Sequence, residues 1–199
     1  MDKFQTLTSK VIPLNLNDVD TDLIYPAQYL TSISRNGLGV NLFRRLRETE
    51  PSFVFNNPKY ETAQILLANK NFGCGSSREH AVWSLVDAGV KVVIANSFAD
   101  IFYNNSAKNG LLLVKLEESV VDMLLERASR EDLELSVDLE RQVVVFRDQD
   151  FSFDYDPFRK HCLLNGLEDL DYLLAHKQEI EQFRKIQDKH RFCSTIGDC

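Results

Sequence analysis

The chain has 199 residues, of which 44% are hydrophobic and 27% are charged; this balance excludes a disordered protein and predicts one packed domain. The formal net charge of −7 at pH 7 would repel nucleic-acid phosphates, so we expect no nucleic-acid partner. The first ten residues carry no apolar signal segment, and no stretch approaches the roughly 18 apolar residues of a membrane span; we expect a cytoplasmic protein without membrane contact.

The first predicted element is a strand in the apolar run at residues 7–16. The polar residues 17–22 follow it and are typical of a turn, since they lack the spaced glycine and distal glutamate of a calcium loop. An irregular stretch continues through the turn signal Asn36-Gly37, and a short helix is predicted at residues 41–48. Such an irregular stretch is typical of a binding element or a mobile connection.

The middle of the chain alternates between short apolar runs and amphipathic segments. Continuous apolar runs are typical of parallel strands that are covered on both faces. The alternation therefore predicts stacked strand–helix–strand units and an α/β fold. Strands are predicted at residues 63–68, 91–95 and 111–114, and helices at residues 77–88, 99–108 and 117–128.

The last third of the chain changes pattern. Strict alternation at residues 133–139 and 151–155, around the apolar run 143–146, predicts antiparallel hairpin strands with one face in water. Large apolar residues at helical spacing over residues 167–189 predict an interrupted amphipathic helix, and residues 191–199 a loose tail. We therefore divide the chain into a domain over residues 1–175 and a helix end with a tail over residues 176–199.

The four cysteines, Cys74, Cys162, Cys193 and Cys199, show neither a Cys-x-x-Cys pair nor the spacing of a disulfide framework, so we expect reduced thiols. They also offer no iron–sulfur cluster pattern. We expect this chain to bind no metal by itself.

The segment richest in chemical information is residues 71–81, Asn-Phe-Gly-Cys-Gly-Ser-Ser-Arg-Glu-His-Ala, where a predicted strand gives way to a helix. Gly73 and Gly75 permit dihedral angles closed to other residues and let a ligand approach the backbone. Ser76, followed three residues later by Glu79, is a capping-box signature. The pattern predicts a helix that begins at or just after Ser76.

A helix start presents unpaired N–H groups and a partial positive charge. The amides near Ser77 and Arg78 can therefore bind an anion, and the Arg78 guanidinium can clamp a carboxylate in bidentate fashion. An alternative stays open on these residues alone: Ser76 is only a cap, Ser77 is solvated, and Arg78 pairs at the surface, because capping boxes are common.

The contiguous run Gly-x-Gly-Ser-Ser-Arg-Glu-His-Ala resembles the signature of the swivel domain of aconitase-like enzymes. Residues 18–26, 91–105 and 161–167 resemble the small subunits of the isopropylmalate dehydratase family, and the likeness spans about residues 3–175. The resemblance implies a compact α/β swivel domain with a partly parallel sheet, flanking helices and antiparallel hairpin strands. It also implies a two-subunit enzyme whose large subunit binds a 4Fe-4S cluster.

The implied reaction is that of a hydro-lyase of leucine biosynthesis, which interconverts 2-isopropylmalate and 3-isopropylmalate by dehydration and rehydration and is active only with its large subunit. Carried over by residue, the resemblance implies Ser76 as the catalytic base, Ser77 as a substrate contact and Arg78 as the clamp for a carboxylate of the small dicarboxylate substrate. Residues 29–39 correspond to a substrate-discriminating loop. Arg35, its only cation, is either a second carboxylate contact or a solvated loop arginine.

A serine base needs support, because a hydroxyl is a poor base near neutral pH. A helix terminus supplies at most about 2 kcal/mol, or roughly one and a half pKa units. The rest must come from Arg78, backbone donors and a closed interface with the large subunit. We therefore expect the chain alone to have little activity.

Other interpretations remain open on the sequence. His80 either orients Ser76 or is a satisfied structural histidine, and Cys74 is either reactive or a small hydrophobe. The substrate could instead be that of a related dehydratase acting on citraconate, homoaconitate or a dimethylated malate, although Leu30, Ile33 and Leu38 would suit an isopropyl group. A non-catalytic, anion-binding docking module is a further alternative. A serine hydrolase is disfavoured, since the Gly-x-Ser-x-Gly elbow is missing.

Overall fold

The computed structural model describes residues 1–30 and 34–194, with the side chains of residues 169 and 188–194 left out of the description. The strands are β1 (Leu7–Leu14), β2 (Ile65–Ala68), β3 (Val92–Ala95), β4 (Leu112–Lys115), β5 (Glu134–Asp138), β6 (Val143–Phe146) and β7 (Gln149–Ser152). The helices are α1 (Thr21–Ile24), α2 (Arg44–Thr49), α3 (Glu79–Asp87), α4 (Asp100–Lys108), α5 (Glu118–Arg130), α6 (Pro157–Asn165), α7 (Asp169–Ala175) and α8 (Lys177–Ser194).

The strands form one sheet in the order β4-β3-β2-β1-β5-β6-β7. Strands β1 to β4 are parallel, whereas β5, β6 and β7 form an antiparallel meander. Strand β1 joins the two parts, since its first half pairs with β5 and its second half with β2. The predicted α/β fold, with a partly parallel sheet and antiparallel hairpin strands, is confirmed.

The core lies on both faces of the parallel strands. Strands β2 and β3 are buried at every position, as continuous apolar runs predict. Leu66 of β2 packs into the layer that contains Leu85 of α3. Its neighbours Ile65 and Leu67 point to the opposite layer, which contains Leu124 of α5. Helices on both faces therefore fix the strands, and the loops at the strand ends remain free to carry a site.

Helix α3 begins later than the capping-box pattern predicts. Its first residue is Glu79 and its N-cap is Arg78, which has an extended backbone (φ −120°, ψ 110°) and no side-chain cap hydrogen bond. The Ser76 carbonyl, which a longer helix would bond to the fourth residue along, instead accepts a hydrogen bond from Thr21 Oγ1 at 2.9 Å. The prediction that Ser76 caps the helix is therefore wrong, because a tertiary hydrogen bond turns its peptide group away from the helix axis.

Helix α6 was not predicted, although local signals for it exist. Asp156 accepts a hydrogen bond from the Arg159 N–H, and Pro157 occupies the first helical position. Gly166 ends the helix with φ +69°. These are the usual start and stop signals of a helix, and the helix is short enough that its apolar periodicity does not stand out.

The predicted interruption of the C-terminal amphipathic helix is confirmed, because α7 ends at Ala175 and α8 begins at Lys177. Helix α8 extends to Ser194, so the loose-tail prediction is wrong for residues 191–194. Residues 195–199 lie outside the described residues, and with them Cys199; the side chain of Cys193 is likewise not described. The division at residue 175 stays a prediction. Among the described helices, none has the length and apolar character needed to cross a membrane.

Candidate active site

The residues 71–78, which we call the signature loop, follow β2 at the carboxyl edge of the parallel strands. The loop is bonded on one side to the segment after β3, since the Asn71 N–H donates to Ser97 Oγ at 2.8 Å and the Phe72 N–H to the Ser97 carbonyl at 3.1 Å. On the other side, the Asn71 side-chain amide donates to the Asp18 carboxylate at 2.8 Å. In parallel sheets this edge is where ligands bind, and here both neighbouring loops hold the signature loop in place.

Two glycines of the signature loop are required by its shape. Gly73 has φ +78°, and a Cβ added there would lie 2.1 Å from Cγ of Phe102. Gly75 has φ +89°, and a Cβ there would lie 3.4 Å from Cβ of Asp20. Side chains are strained at such φ values. The backbone at Gly73 therefore lies tightly against α4, whereas Gly75 is required by its φ value and not by lack of space.

The outward part of the signature loop carries the two predicted serines. Ser76 and Ser77 are both exposed, together with Gly75. By contrast Thr21, which holds the Ser76 carbonyl, is only 2% exposed. The loop thus has an anchored inner side and a solvent-facing side with two hydroxyl groups.

Arg78 is fixed by a carboxylate on α1. Its Nη1 donates to Asp22 Oδ1 at 2.6 Å, and the Arg78 side chain is 19% exposed. The Arg78 hydrogen bond and a second one from the Ala27 N–H hold the pKa of Asp22 below its usual range. Arg45 lies against the other oxygen of Asp22 at 3.3 Å. A guanidinium has five N–H donors, so one bond to Asp22 orients Arg78 and leaves donors for a ligand carboxylate.

Asp22 and Thr21 were not predicted as site residues. The sequence indicated only a turn at residues 17–22. Their partners, Arg78 and Ser76, lie 56 and 55 residues further along the chain. No local pattern signals a contact over that separation; only the parallel pairing of β1 and β2 brings the two loops together.

Arg35 is placed along α3 rather than among the signature residues. Its guanidinium carbon lies 5.1 Å from the centroid of the Trp83 ring, a cation–π distance. The loop that carries Arg35 is tied to Asp87, the last residue of α3, which accepts hydrogen bonds from the Gly37 and Gly39 N–H groups at 3.2 and 2.7 Å. The structure brings Ser76, Ser77 and Arg78 together, and Arg35 as a second carboxylate contact stays a prediction.

The apolar residues suggested for an isopropyl pocket have mixed positions. Leu38 is 2% exposed and belongs to the core, so it is not free to line a substrate pocket. Leu30 is partly buried against the same core layer. Ile33 lies outside the described residues. These three positions therefore do not identify a side chain that would contact the isopropyl group.

His80 packs among aromatic rings. Its ring centroid lies 5.9 Å from that of Tyr25, in a stacked arrangement, and 4.8 Å from that of Trp83. This packing favours the structural interpretation of His80 over a direct catalytic one.

Cys74 has the character of a neutral thiol. Burial, with the nearby carboxylates of Asp20 and Asp18, raises its pKa above the usual value. Reactivity and metal binding both require the thiolate, so its surroundings oppose both. Within the part of the chain that the structure describes, no three His, Cys, Asp or Glu residues are grouped as metal ligands.

Among the described residues, the serines of the signature loop lie on an exposed surface. A cavity of about 620 Å³ lies elsewhere, at the amino ends of the strands, where its lining includes residues 1–7, Lys91 before β3 and Gly110 before β4. The signature loop is at the carboxyl ends of the same strands. A ligand held at Ser76 to Arg78 would therefore be covered on one side only by the described residues.

Known proteins of one family are similar to this chain over nearly its whole length. Residues 1–119 match the family described as the aconitase C-terminal domain. A curated relative named 3-isopropylmalate dehydratase small subunit, from Francisella tularensis subsp. novicida, is 52% identical over 187 residues, or 94% of this chain and 99% of the relative. A relative of the same name from Paramagnetospirillum magneticum is 51% identical over 93% of this chain and 96% of its own length. A crystal structure of 3-isopropylmalate dehydratase from Methanocaldococcus jannaschii has a TM-score of 0.67 at 26% identity, covering 91% of this chain and 99% of that one.

Proposed function

Because the chain belongs to the family of 3-isopropylmalate dehydratase small subunits, whose fold is that of the aconitase C-terminal domain, we propose that it supplies one half of the active site of a hydro-lyase. We assign to this enzyme the interconversion of 2-isopropylmalate and 3-isopropylmalate in leucine biosynthesis, and to the chain a cytoplasmic location. The observation that carries the assignment of the site is the exposed pair Ser76–Ser77 beside a guanidinium, Arg78, that Asp22 already orients.

The reaction requires a base that removes a proton from carbon. The electrons of the broken C–H bond form a C=C bond while the neighbouring hydroxyl leaves, after protonation, as water; addition of water with the opposite regiochemistry completes the isomerisation. We assign proton removal to Ser76 Oγ, acting as its alkoxide. Since α3 begins only at Glu79, its dipole acts on Ser76 more weakly than on a capping residue. Arg78, the loop amides and exclusion of water by a partner must then stabilise the alkoxide.

Binding of the dicarboxylate is assigned to Ser77 and Arg78. Guanidinium groups bind carboxylates through two parallel hydrogen bonds, and the bond to Asp22 fixes the plane of the Arg78 group before the substrate arrives. Asp22 also balances part of the charge of Arg78 and Arg45. Attraction of an anionic substrate therefore rests on the local guanidinium of Arg78, since the whole chain is acidic.

We assign the 4Fe-4S cluster to the large subunit, since the four scattered cysteines lack a cluster pattern; at Cys74, beside the proposed site, the raised pKa of the thiol opposes a ligand role. When bound, such a cluster supplies Lewis-acid chemistry at the departing hydroxyl. The residues of this chain then bind the substrate carboxylate and hold the proton taken from carbon.

Turnover of the assembled enzyme tests the proposal. The chain, combined with its large subunit, should interconvert the two isopropylmalates, and Ser76→Ala should lower kcat by about a hundredfold or more, as expected for loss of a general base. The matched control is Ser52→Ala, which removes an exposed hydroxyl in a turn that precedes β2. It should retain wild-type kcat.

The same assay separates the rival functions. Binding of dicarboxylates by the assembled enzyme without turnover would favour a docking module. Turnover of citraconate or dimethylated malate in preference to isopropylmalate would reassign the substrate. Near-normal kcat for Ser76→Ala would overturn the assignment of the base.

A further inference from the structure

We infer that Thr21 is a positioning residue that aims the N–H groups of Gly75 and Ser77 at the substrate, an inference that rests on the function proposed above. It is drawn from two hydrogen bonds that this single residue makes with the signature loop. The Thr21 N–H donates to the Cys74 carbonyl at 2.8 Å, and Thr21 Oγ1 donates to the Ser76 carbonyl at 2.9 Å.

Peptide geometry links those carbonyls to the N–H groups that follow them. A peptide unit is planar and trans, so its C=O and its N–H point in opposite directions. When Thr21 draws the carbonyls of Cys74 and Ser76 toward α1, the N–H groups of Gly75 and Ser77 must point away from α1. Alternate carbonyls thus face the protein interior and alternate amides face the opposite side.

That opposite side is the solvent-facing side of the signature loop. Gly75, Ser76 and Ser77 are exposed, whereas Thr21 is 2% exposed. Oriented amides of this kind form concave anion-binding sites in other proteins. Here they lie in the same loop as Ser76 and next to Arg78, so they can bind a carboxylate or stabilise the Ser76 alkoxide.

The anchor is held by its own helix: Asp20 caps α1, since its Oδ1 accepts a hydrogen bond from the Leu23 N–H at 2.6 Å. The peptide that precedes Gly75 is tied to the same element by the hydrogen bond from the Thr21 N–H to the Cys74 carbonyl. A shift of Thr21 would therefore move the signature loop, and loss of its hydroxyl would release the peptide between Ser76 and Ser77 alone.

Two substitutions at Thr21 distinguish positioning from packing. Thr21→Val keeps the side-chain volume and removes the hydroxyl donor, whereas Thr21→Ser keeps the donor and removes a buried methyl group. If Thr21 positions the amides, the assembled Thr21→Val enzyme should lose about tenfold or more in kcat/KM, with kcat lowered and KM raised. Thr21→Ser should stay within about twofold of wild type.

A purely structural role gives the reverse order. Thr21→Ser would then be the more damaging change because of the lost methyl group, and both variants would keep wild-type kcat and KM below their melting temperatures. That result would overturn the inference. Should Thr21→Val fail to assemble, Thr21→Ala replaces it, and equal kcat/KM for Thr21→Ala and Thr21→Ser would have the same meaning.

Wild-type enzyme and Ser76→Ala are measured alongside. Inactive wild-type enzyme would count against the proposed function and, with it, the inference. The inference about Thr21 would be wrong, and the proposed function would still hold, if the wild-type enzyme and Thr21→Val were fully active while Ser76→Ala was inactive.

Discussion

The negative charge of the Asp22 carboxylate determines how the Arg78 guanidinium is oriented. Its carboxylate accepts hydrogen bonds from Arg78 and the Ala27 N–H and lies against Arg45. The Asp22 side chain is 36% exposed and that of Arg78 is 19% exposed, so solvent weakens the pair less than it would a fully exposed one. Because Asp22 is still more than a third exposed, the pair contributes little to the free energy of unfolding, and its main effect is to orient the arginine.

We predict that Asp22→Asn lowers stability at neutral pH by about 1 kcal/mol or less, which corresponds to a few degrees in melting temperature. Because the pKa of Asp22 is lowered from 3.8 in the folded chain, its contribution is complete above pH 3.8 and is lost as the pH falls through the lowered pKa. Melting curves of the two proteins should converge in acid. The assembled variant should also lose about tenfold in kcat/KM, since a neutral amide holds the Arg78 guanidinium more weakly than a carboxylate does.

Asp132→Asn is the matched control for this prediction. The pKa of Asp132 is also lowered, by hydrogen bonds from Lys59 and Lys10, but these residues do not contact the signature loop. Asp132→Asn should show the same direction of pH dependence and wild-type turnover. A melting difference for Asp22→Asn that persists unchanged below the lowered pKa would contradict the assigned charge state.

At the level of elements, hydrophobic periodicity predicted the strands and helices that form the core. It missed the start of α3, which a tertiary hydrogen bond determines. The strands β2, β3 and β4 were predictable because each is a continuous apolar run, and α5 because it is long and amphipathic. The start of α3 was not predictable, since the hydrogen bond from Thr21 to the Ser76 carbonyl depends on the packing of two distant loops. The serines and Arg78 were found through their motif, whereas Asp22 and Thr21 needed the fold.

The C-terminal helices give a prediction at the same scale. Ile180, Phe183 and Ile186 of α8 are 47%, 60% and 55% exposed, so a chain that ends at Ala175 loses no buried residue among those described. It should melt within about 4 °C of the full chain, a difference of roughly 1 kcal/mol. Thermal unfolding of the shortened chain tests the proposed domain boundary at residue 175.

A shorter chain that ends at Asp156 is the contrasting control. It would lose α6 with Cys162 and Leu163, which are 4% and 1% exposed, and burial of one leucine side chain alone contributes about 2 to 5 kcal/mol. This chain should unfold at a much lower temperature. Equal destabilisation by the two truncations would mean that α8 is part of the domain.

For the whole molecule, the placement of the site implies a partner. Ser76, the proposed base, is exposed at the carboxyl edge of the sheet, whereas removal of a proton from carbon needs a site from which water is largely excluded. Among the described residues, α1, α4 and the segment after β3 contact the inner side of the signature loop, and its two serines face solvent. If Ser76 is the base, as we propose, the large subunit is the part of the enzyme that would supply the missing wall.

We predict that the purified chain is colourless and nearly inactive and that assembly changes the exchange of its loop amides. In the isolated chain the exposed N–H groups of Gly75 and Ser77 should exchange rapidly with solvent, as amides outside secondary structure do. With the large subunit and a dicarboxylate present they should exchange at least tenfold more slowly, because a partner covers them and a carboxylate accepts their hydrogen bonds. Gly89, an exposed glycine before β3 at the opposite end of the strands, should keep its exchange rate. Hydrogen exchange followed by mass spectrometry or NMR measures all three amides, and protection that spread equally to Gly89 would indicate general stabilisation of the fold instead of closure over the site.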